Sequence, residues 1–469
     1  MTKFDDIRFV YFLGIGGIGM SALARFYMAR GVSVSGYDKT RTALTDELES
    51  EGMKISYDEA AEKLPDFILD SKNNKNSILI IYTPAIPSDH AGKNWLISQG
   101  FKLYKRSEVL GLIASKYYTV AVAGTHGKTT TSSMIAHMLV HAGKRCTAFL
   151  GGILKNYNSN FLDNTKGEGS HILVAEADEY DRSFLTLFPD VSIITSMDPD
   201  HLDIYEDAKF MEESYRLFAS QLKDKGKLIY KKGLPLSNTS AKSLAYSLKT
   251  DADCYPSDVR IERGRYYFDW NEGDVRLKDL SSGLPGLHNV ENAVAAIAAC
   301  RHLGLTEEEI RSGITSYSGV KRRFERILDT DRFTYIDDYA HHPEELRASI
   351  SSAREMYPGK HITGIFQPHL YSRTRDFADG FAKSLSLLDS LILMDIYPAR
   401  EKPIPGVTSE LIFNKVPLEN KILVSKDNLI GELNTEGIEV LLTLGAGDID
   451  LFVEPIRDLL LLSKQQKHE

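Results

Sequence analysis

The sequence predicts an α/β protein built from three domains. Its 469 residues correspond to about three domains at roughly 150 residues each. Short apolar runs alternate with helical segments along the whole chain, a pattern typical of parallel sheets that are covered by helices on both faces. Polar clusters directly follow several of these runs, at the carboxyl ends of the predicted strands, where open α/β sheets bind ligands. We place the three domains at residues 1–116, 117–322 and 323–469.

The composition and charge narrow the class of protein. Hydrophobic residues make up 42% and charged residues 26% of the chain, which is typical of a folded globular protein. The 56 Lys and Arg residues are outnumbered by 65 Asp and Glu residues, so no positive field extends over the sequence and no nucleic-acid partner is predicted.

Cysteine content and hydropathy predict the compartment. The three cysteines, Cys146, Cys254 and Cys300, are widely spaced and odd in number, which excludes a disulfide framework and a CxxC metal knuckle. No apolar stretch approaches the ~20 residues that are needed to cross a bilayer. We therefore expect a cytoplasmic protein without a membrane span.

The first domain opens on a strand, a glycine turn, a helix and a second strand. The apolar run at residues 9–15 ends in Gly14-Ile-Gly-Gly-Ile-Gly19, residues 20–30 are predicted as a helix, and the strand at residues 32–37 is followed by Asp38. A glycine turn at a helix N-terminus suits a bound pyrophosphate. The turn alone leaves open NAD, a nucleotide-sugar or a purely structural tight turn.

The second domain begins with a motif that resembles a phosphate-binding loop. The apolar run at residues 118–123 leads directly into Gly124-Thr-His-Gly-Lys-Thr-Thr130 and a predicted helix. In such loops, backbone N–H groups hold phosphate, the lysine neutralises it, and the threonine hydroxyl reaches Mg²⁺. The first glycine of the common pattern is replaced here by Val122, so the loop is a shortened form.

Acidic clusters follow the next two strands of the second domain. Glu176-Ala-Asp-Glu-Tyr-Asp181 places four carboxylates in six residues after one strand, and Asp198-Pro-Asp-His-Leu-Asp203 follows the other. Carboxylates so crowded are unfavourable unless a cation holds them. A solvated acidic turn and a structural histidine are the alternatives, but the phosphate loop in the same domain favours a Mg²⁺ site.

Histidines and arginines follow the strands of the last domain. The segments concerned are Asp337-Asp-Tyr-Ala-His-His-Pro343, Phe366-Gln-Pro-His-Leu-Tyr-Ser-Arg373 and Leu444-Gly-Ala-Gly-Asp448. These residue types suit carboxylate and phosphate groups, and arginine offers bidentate geometry. One such segment alone could be a surface turn, but the three together predict a substrate site. Residues 319–325 are predicted as the hinge that precedes this domain.

Taken together, these motifs resemble the Mur ligases of bacterial cell-wall synthesis, and the resemblance extends over nearly the whole chain. It is carried by Gly14-Ile-Gly-Gly-Ile-Gly-Met-Ser-Ala, Gly124-Thr-His-Gly-Lys-Thr-Thr-Thr, Glu176-Ala-Asp-Glu, Asp200-His-Leu-Asp, Pro285-Gly-Leu-His-Asn-Val-Glu-Asn-Ala, Arg322-Arg-Phe, Asp338-Tyr-Ala-His-His-Pro and Phe366-Gln-Pro-His.

The resemblance implies both a fold and a reaction. It implies an N-terminal UDP-sugar domain of Rossmann type, a central P-loop ATPase domain and a Rossmann-like C-terminal domain that closes over the active site. The implied activity is an ATP-dependent, ADP-forming ligase of peptidoglycan precursor synthesis. ATP phosphorylates the carboxylate of UDP-N-acetylmuramate, and the amine of L-alanine then attacks the acyl phosphate to form an amide.

The resemblance also assigns site residues, and ATP and Mg²⁺ are the implied cofactors. For ATP, it implies Gly124, Thr125, His126, Gly127, Lys128, Thr129, Thr130, His288, Asn289, Asn292 and Arg323. For the metal, it implies Thr129, Glu176 and His201. For the UDP-sugar, it implies Gly14, Gly16, Gly17, Gly19 and Asp38. For the chemistry, it implies Lys128, His201, His342, His369 and Arg373, with His341 nearby.

Three other functions stay open at this stage. A ligase that attaches a recycled tripeptide to the same UDP-sugar would share the central motifs. A nicotinamide-dependent oxidoreductase could use the first glycine loop with Asp38 at the ribose, but it would leave the phosphate loop and the acidic cluster unexplained. A nucleotide-driven switch would hydrolyse ATP to move a partner. The sequence does not decide oligomeric state, kinetic order or strictness for L-alanine over glycine or serine.

Overall fold

The structure, a computed structural model, describes residues 6–70, 75–198, 208–236, 242–262, 265–399 and 401–465. The chain divides into two compact units. The first comprises Met1–Ser247, Asp251–Cys254 and Ala295–Gly313, and the second comprises Leu248–Thr250, Tyr255–Val294 and Ile314–Glu469.

The N-terminal part of the first unit is a parallel five-stranded sheet with flanking helices. Its strands are β1 (Phe9–Leu13), β2 (Ser33–Tyr37), β3 (Lys54–Ser56), β4 (Ile78–Tyr82) and β5 (Leu103–Lys105). Its helices are α1 (Ile18–Met28), α2 (Ala43–Ser50), α3 (Asp66–Leu69), α4 (Ala91–Ser98) and α5 (Arg106–Ala114). The strand order is β3-β2-β1-β4-β5. β1 is the central strand. Because helices cover both faces of a parallel sheet, the side chains of this strand are apolar and buried.

The rest of the first unit contains a larger sheet. Its strands are β6 (Tyr118–Ala123), β7 (Lys144–Leu154), β8 (Ser159–Asn164), β9 (Glu168–Glu176), β10 (Val191–Ile194), β11 (Lys227–Lys231) and β12 (Lys242–Tyr246), with helices α6 (Lys128–His141) and α7 (Ala208–Ser220). The order along this part of the sheet is β12-β11-β10-β6-β9-β7-β8. β6 pairs in parallel with both β9 and β10, so the segments after these three strands meet at one edge.

The second unit begins with strands that the sequence did not predict. β13 (Cys254–Glu262), β14 (Arg265–Glu272) and β15 (Val275–Ser281) are neighbours in that order. The residues of this stretch are largely polar, and no strand was predicted over them. β14 and β15 are antiparallel, and β14 buries Tyr266, Phe268 and Trp270. Helices α8 (Leu287–His302) and α9 (Glu307–Ser316) follow.

The C-terminal part of the second unit is a six-stranded sheet. Its strands are β16 (Glu325–Asp329), β17 (Thr334–Asp338), β18 (Ile362–Phe366), β19 (Ser390–Met394), β20 (Lys421–Val424) and β21 (Val440–Leu444). Its helices are α10 (Pro343–Met356), α11 (Tyr371–Asp376), α12 (Ala378–Leu385), α13 (Glu410–Phe413), α14 (Leu429–Glu432) and α15 (Val453–Gln465). The order is β16-β17-β21-β18-β19-β20, and only β16 runs antiparallel to its neighbour.

Short 3-10 turns complete the described elements. They lie at Ala61–Lys63, Lys75–Ser77, Tyr180–Thr186, Lys426–Asn428 and Asp448–Phe452. The α/β class predicted from the sequence is confirmed by the mainly parallel sheets. The three domain boundaries stay a prediction.

All three cysteines are buried and free. Burial raises the pKa of the Cys146 thiol to about 12 and also raises the pKa of Cys300. No helix among the described residues is long and apolar enough to span a membrane.

His137 should make the first unit sensitive to acid. It is 3% exposed on α6, and burial, followed by the charge of His141, lowers its pKa to about 4. Because the unfolded imidazole titrates near 6.5, stability is full above that pH and is lost as the pH falls toward 4. Because of this residue, we expect the free energy of unfolding to fall by about 2 kcal/mol between pH 7 and pH 5. The melting temperature of His137→Gln should therefore change less with pH than that of the wild type. An equal change with pH in the two proteins would contradict this role of His137.

Candidate active site

The glycine loop after β1 is held in shape by its own neighbours. Gly14 has φ +90°, a conformation that disfavours residues with a side chain, and its N–H donates to the Tyr37 carbonyl at 2.8 Å. The N–H of Gly16 donates to Asp38 Oδ2 at 2.8 Å. Gly17, which has no side chain, is the N-cap of α1. The first-turn N–H groups of α1 can thus be approached closely by an anion, and Asp38 closes the loop.

An arginine that the sequence analysis did not predict lies against this loop. A Cβ atom at Gly19 would stand 2.6 Å from Arg106 Nη1. Arg106 Nη2 also pairs with Asp178 Oδ2 at 3.1 Å. The side chain is one-fifth exposed and stands between the glycine loop and the acidic segment. Its only sequence signal was its place directly after β5, at the carboxyl end of the sheet.

The loop after β6 is braced by the end of β10. Gly124 has φ +137°, and a Cβ atom there would lie 2.1 Å from Thr195 Oγ1. Ser196 Oγ accepts from the His126 N–H at 2.7 Å and lies 2.9 Å from Thr125 Oγ1. Gly127, with φ +81°, is the N-cap of α6. The loop and the start of the helix therefore form a rigid cradle of the kind that binds phosphate.

Lys128, the first residue of α6, lies in this cradle. Its Nζ donates to the Gly124 carbonyl at 2.5 Å and to Glu179 Oε1 at 2.9 Å. Burial disfavours its charged form, but the carboxylates of Glu179, Glu176 and Asp178 outweigh this effect and raise its pKa. The ammonium group is therefore charged at neutral pH. Thr129 and Thr130 follow it in the first turn, and both are buried.

The acidic segment after β9 lies beside this loop, because Glu176 pairs with Val122 of β6. Glu176 Oε2 accepts from the Gly151 N–H at 3.0 Å, and Asp181 pairs with Lys105 at 2.7 Å. Asp178 pairs with Arg106 and Glu179 pairs with Lys128, as described above. All four carboxylates therefore contact donors supplied by the protein. Among the described residues, no group of three or more His, Cys, Asp or Glu side chains could hold a metal ion.

Two sequence-predicted residues of the metal site can be placed. Thr129 and Glu176 both lie at the edge where β6 and β9 end. The third, His201, lies outside the described residues, so its role stays a prediction.

The predicted adenine-side residues form a compact group in the second unit. Asn289 Nδ2 donates to the Pro285 carbonyl at 2.6 Å, and Asn292 Nδ2 donates to Asn289 Oδ1 at 3.4 Å. Burial, and then the charge of Arg323, lowers the pKa of His288 to about 4. His288 is therefore neutral at pH 7 and can both donate and accept a hydrogen bond.

Three other predicted residues converge in the C-terminal sheet domain. The rings of His341 and His369 are 5.9 Å apart, and Arg373 Nη1 lies 3.4 Å from His369 Nδ1. The ring of Tyr397 stacks on His369. Arg373 is only 5% exposed, so its guanidinium belongs to the domain interior rather than to a surface turn.

His342 has different surroundings from His341. It is the N-cap of α10, where its Nδ1 accepts from the Glu344 N–H at 3.4 Å. Its ring packs against Phe377 at 5.0 Å. These contacts give the buried side chain a structural task, and its predicted catalytic role stays a prediction.

Arg322 and Arg323, which follow α9, differ in their contacts within the protein. Arg322, with φ +60°, pairs with the buried Asp337 at 3.1 Å and donates to the Gly445 carbonyl at 2.7 Å. Arg323 is about one-third exposed and lies 3.7 Å from Glu345. Arg322 therefore fastens the ends of two strands, whereas Arg323 is more exposed and lies over the Tyr339 ring at 5.1 Å.

Comparison with known proteins decides the family. Three sequence profiles match the chain in order: "Mur ligase family, catalytic domain" over residues 9–118, "Mur ligase middle domain" over residues 122–300, and "Mur ligase, glutamate ligase domain" over residues 322–449. The chain belongs to the Mur ligase family. This confirms the family and the three-domain α/β fold that the sequence motifs predicted.

Individual relatives resemble this Mur ligase over almost its full length. It is 47% identical to the UDP-N-acetylmuramate–L-alanine ligase of Cytophaga hutchinsonii, with 96% of each chain covered. It is 48% identical to the enzyme of the same name from Porphyromonas gingivalis, over 96% of this chain and 98% of the relative. A crystal structure of the UDP-N-acetylmuramate-alanine ligase MurC from Thermotoga maritima matches with a TM-score of 0.81 and 26% identity, over 98% of this Mur ligase and 99% of that chain.

Proposed function

We propose that this protein joins L-alanine to the carboxylate of UDP-N-acetylmuramate in peptidoglycan synthesis, with conversion of ATP to ADP and phosphate. The relatives that carry this activity in their names are nearly half identical over the full length. The observation that carries the proposal is the presence, in one unit, of two glycine loops at helix N-termini. The Arg106–Asp178 ion pair stands between these loops, so one compact unit can hold two anionic substrates.

The loop at residues 124–130 binds the phosphates of ATP in this proposal. Its N–H groups and the start of α6 hold the phosphate oxygens, and Lys128 neutralises the charge that moves during transfer. The muramoyl carboxylate attacks the γ-phosphate, because a free carboxylate oxygen is too poor a leaving group to be displaced by an amine. Lys128 reduces the repulsion between the two anions.

Mg²⁺ fits the oxygen donors that the structure places at this edge. Thr129 offers a hydroxyl and Glu176 a carboxylate, and Mg²⁺ in proteins commonly takes one or two such ligands together with phosphates and water. His201 would complete the predicted set. When bound, the ion would withdraw charge from the transferring phosphate.

The second unit supplies the remaining groups. His288, Asn289 and Asn292 offer hydrogen-bonding partners to the adenine, and Arg323 offers a cation to its phosphates. The Arg373 guanidinium, with the ring nitrogens of His341 and His369 beside it, suits the carboxylates of the sugar and of L-alanine. We propose that the enzyme works in the cytoplasm, in keeping with its buried free thiols.

The contacts of Asp38 bear on the oxidoreductase alternative. Its Oδ2 accepts from Gly16, and its Oδ1 accepts from the Thr40 N–H at 3.2 Å. Each carboxylate oxygen has two lone pairs, so these two contacts fasten the loop without excluding a ribose hydroxyl. The family match over residues 9–118, rather than these contacts, argues against the oxidoreductase.

Phosphate release is the direct test of the reaction. The purified protein is incubated with ATP, Mg²⁺ and UDP-N-acetylmuramate, and each of L-alanine, glycine, L-serine and the recycled tripeptide is added in turn. We expect release that depends on both the sugar and L-alanine. Release with the tripeptide alone would indicate the recycling ligase, and release without any amine would indicate a nucleotide switch.

Gly16→Val tests the first glycine loop. A Cβ atom at Gly16 would lie 2.8 Å from both Asp38 Oδ2 and Thr45 Cγ2, so a branched side chain must displace the carboxylate that closes the loop. We expect the KM for UDP-N-acetylmuramate to rise at least about 10-fold, which corresponds to a loss of about 1.4 kcal/mol of binding, while the KM for ATP stays within twofold. Gly431→Val is the control, because Gly431 has no positive φ and a Cβ atom there meets nothing within 4 Å. An equal rise in both KM values would count against the assignment.

A further inference from the structure

The helix that follows the first glycine loop is held by a side chain from another domain. α1 packs against β7 and β8 of the central domain, with Phe26 against Phe149 at 5.4 Å and against Phe161 at 6.2 Å. Among these apolar contacts lies one fully buried amide, that of Asn160 on β8. We propose that Asn160 is a positioning residue, which holds the UDP-sugar loop in register with the phosphate loop. This inference rests on the proposed function.

The amide of Asn160 meets the start of α1 directly. Its Nδ2 donates to the Ile18 carbonyl at 2.5 Å and to Ser21 Oγ at 2.9 Å. Ser21, also fully buried, donates in turn to the same Ile18 carbonyl at 2.9 Å. Ile18 lies inside the loop motif at residues 14–19, so the contact is made at the end of the helix that would face the pyrophosphate.

The other end of the amide is fixed by a charge. Asn160 Oδ1 accepts from Arg25 Nη1 at 2.5 Å. Arg25 is 7% exposed and is balanced by Glu47 of α2 at 3.2 Å and by Glu51, the C-cap of that helix, at 2.6 Å. Donor and acceptor sides are therefore both occupied, which fixes the orientation of the amide.

The consequence concerns the distance between two bound substrates. The N-terminal domain is proposed to hold the UDP-sugar, and the central domain is proposed to hold ATP. Transfer requires the carboxylate and the γ-phosphate to lie close together in a defined direction, and a misplacement of about 1 Å can cost ~10²-fold in rate. Asn160 is a direct polar contact from the central domain to the loop helix, so it sets this distance without touching either substrate.

Asn160→Asp separates positioning from folding. At pH 8, next to Arg25, the new carboxylate is ionised and still accepts from that guanidinium, but it presents an oxygen instead of an N–H group to the Ile18 carbonyl. We expect kcat to fall about 10- to 100-fold, the range that follows from a displacement of up to about 1 Å. The KM for ATP and the Kd of UDP-N-acetylmuramate, measured by calorimetry, should each stay within about threefold, because each substrate keeps its own loop.

Asp163→Asn is the matched control. Asp163 lies on the same strand and pairs with Arg30 at 3.2 Å, just beyond the far end of α1 from the loop, and we expect its kcat to match the wild type. Circular dichroism and thermal melting show whether each variant is folded. If Asn160→Asp does not fold, Ser21→Ala replaces it and should lower kcat about two- to fivefold, since it removes one of the two donors to the Ile18 carbonyl.

The possible results distinguish a failure of the positioning role from a failure of the proposed function. A folded Asn160→Asp variant with wild-type kcat, or an equal loss in Asp163→Asn, would overturn the positioning role while the function stands. An unchanged kcat in Ser21→Ala, where that variant is the one tested, would do the same. A wild-type protein that releases no phosphate with UDP-N-acetylmuramate and L-alanine would overturn the proposed function itself and this inference with it.

Discussion

Lys128→Ala should lower kcat at least about 10²-fold, because one charge contact to a transferring phosphate typically contributes several kcal/mol to the barrier. The Lys128 ammonium lies inside the phosphate loop and stays charged at neutral pH, as its raised pKa indicates. Phosphate release at saturating substrates measures the effect. The KM for UDP-N-acetylmuramate should change little, because that substrate is assigned to a different loop.

Lys128→Ala needs a second variant as a control, because it leaves a buried negative charge in the protein. Glu179 is 1% exposed and pairs with Lys128, so the single variant leaves a buried carboxylate without its ammonium partner, a change that can cost several kcal/mol of stability. Lys128→Ala combined with Glu179→Gln removes both charges and should restore the melting temperature without restoring activity. Lys144→Ala, which breaks a partly exposed ion pair with Glu309, should keep full activity. A double variant as active as the wild type would show that Lys128 does not meet the phosphate.

Arg373→Ala should also lower kcat by about 10²-fold, since the loss of a bidentate contact to a reacting carboxylate or phosphate removes about 2–3 kcal/mol. The guanidinium is buried beside His369, in the group that the proposal assigns to the sugar and L-alanine. Steady-state rates at varied L-alanine measure the change. Arg373→Lys should recover only part of the rate, because lysine keeps the charge but loses the planar pair of donors.

A nearby arginine provides the comparison for this prediction. Arg375 lies on the same short helix, but its side chain is 53% exposed and pairs with Asp376. The sequence analysis assigned Arg373 to the chemistry, and burial distinguishes it from the exposed Arg375. Arg375→Ala should therefore retain wild-type kcat. The opposite result, loss with Arg375→Ala and none with Arg373→Ala, would exchange the two roles.

The parallel strands and their loops were well predicted from the sequence, because their burial on both faces leaves an unbroken apolar signal. The strand over residues 118–123 and the helix after it occur as predicted in β6 and α6. α10 begins at Pro343 as the sequence indicates, since proline is favoured at the first helical position. At the start of α9, Thr306 Oγ1 accepts from the Glu309 N–H at 3.2 Å.

The antiparallel segments were missed for the opposite reason. β15 alternates exposed charged residues with buried Leu277 and Leu280, so its mean composition is polar although one face is buried. The hairpin of β7 and β8 was also not predicted. It supplies the contacts to α1, including Asn160, and no local pattern could indicate a hydrogen bond between residues 142 positions apart.

For the site, the sequence predicted individual residues but not the contacts between them. The acidic cluster was predicted to bind Mg²⁺, which stays a prediction, and the structure shows that Lys105, Arg106 and Lys128 contact three of its four carboxylates. Arg106 and Asp178 are 72 positions apart, and their pairing depends on how two sheets pack. The roles of the individual site residues stay predictions that the variants above test.

The burial of the cysteines has a practical consequence for spectroscopy. A thiol reacts with maleimide through its thiolate, and burial both shields all three cysteines from the reagent and raises the pKa of Cys146 to about 12. The native protein should therefore take up such reagents very slowly while it is folded. Two cysteines introduced at exposed positions, such as Ile97 and Leu451, could then be labelled selectively in a chain that keeps its native cysteines. Pairs of fluorophores attached in this way would report the distance between domains during turnover without a cysteine-free background.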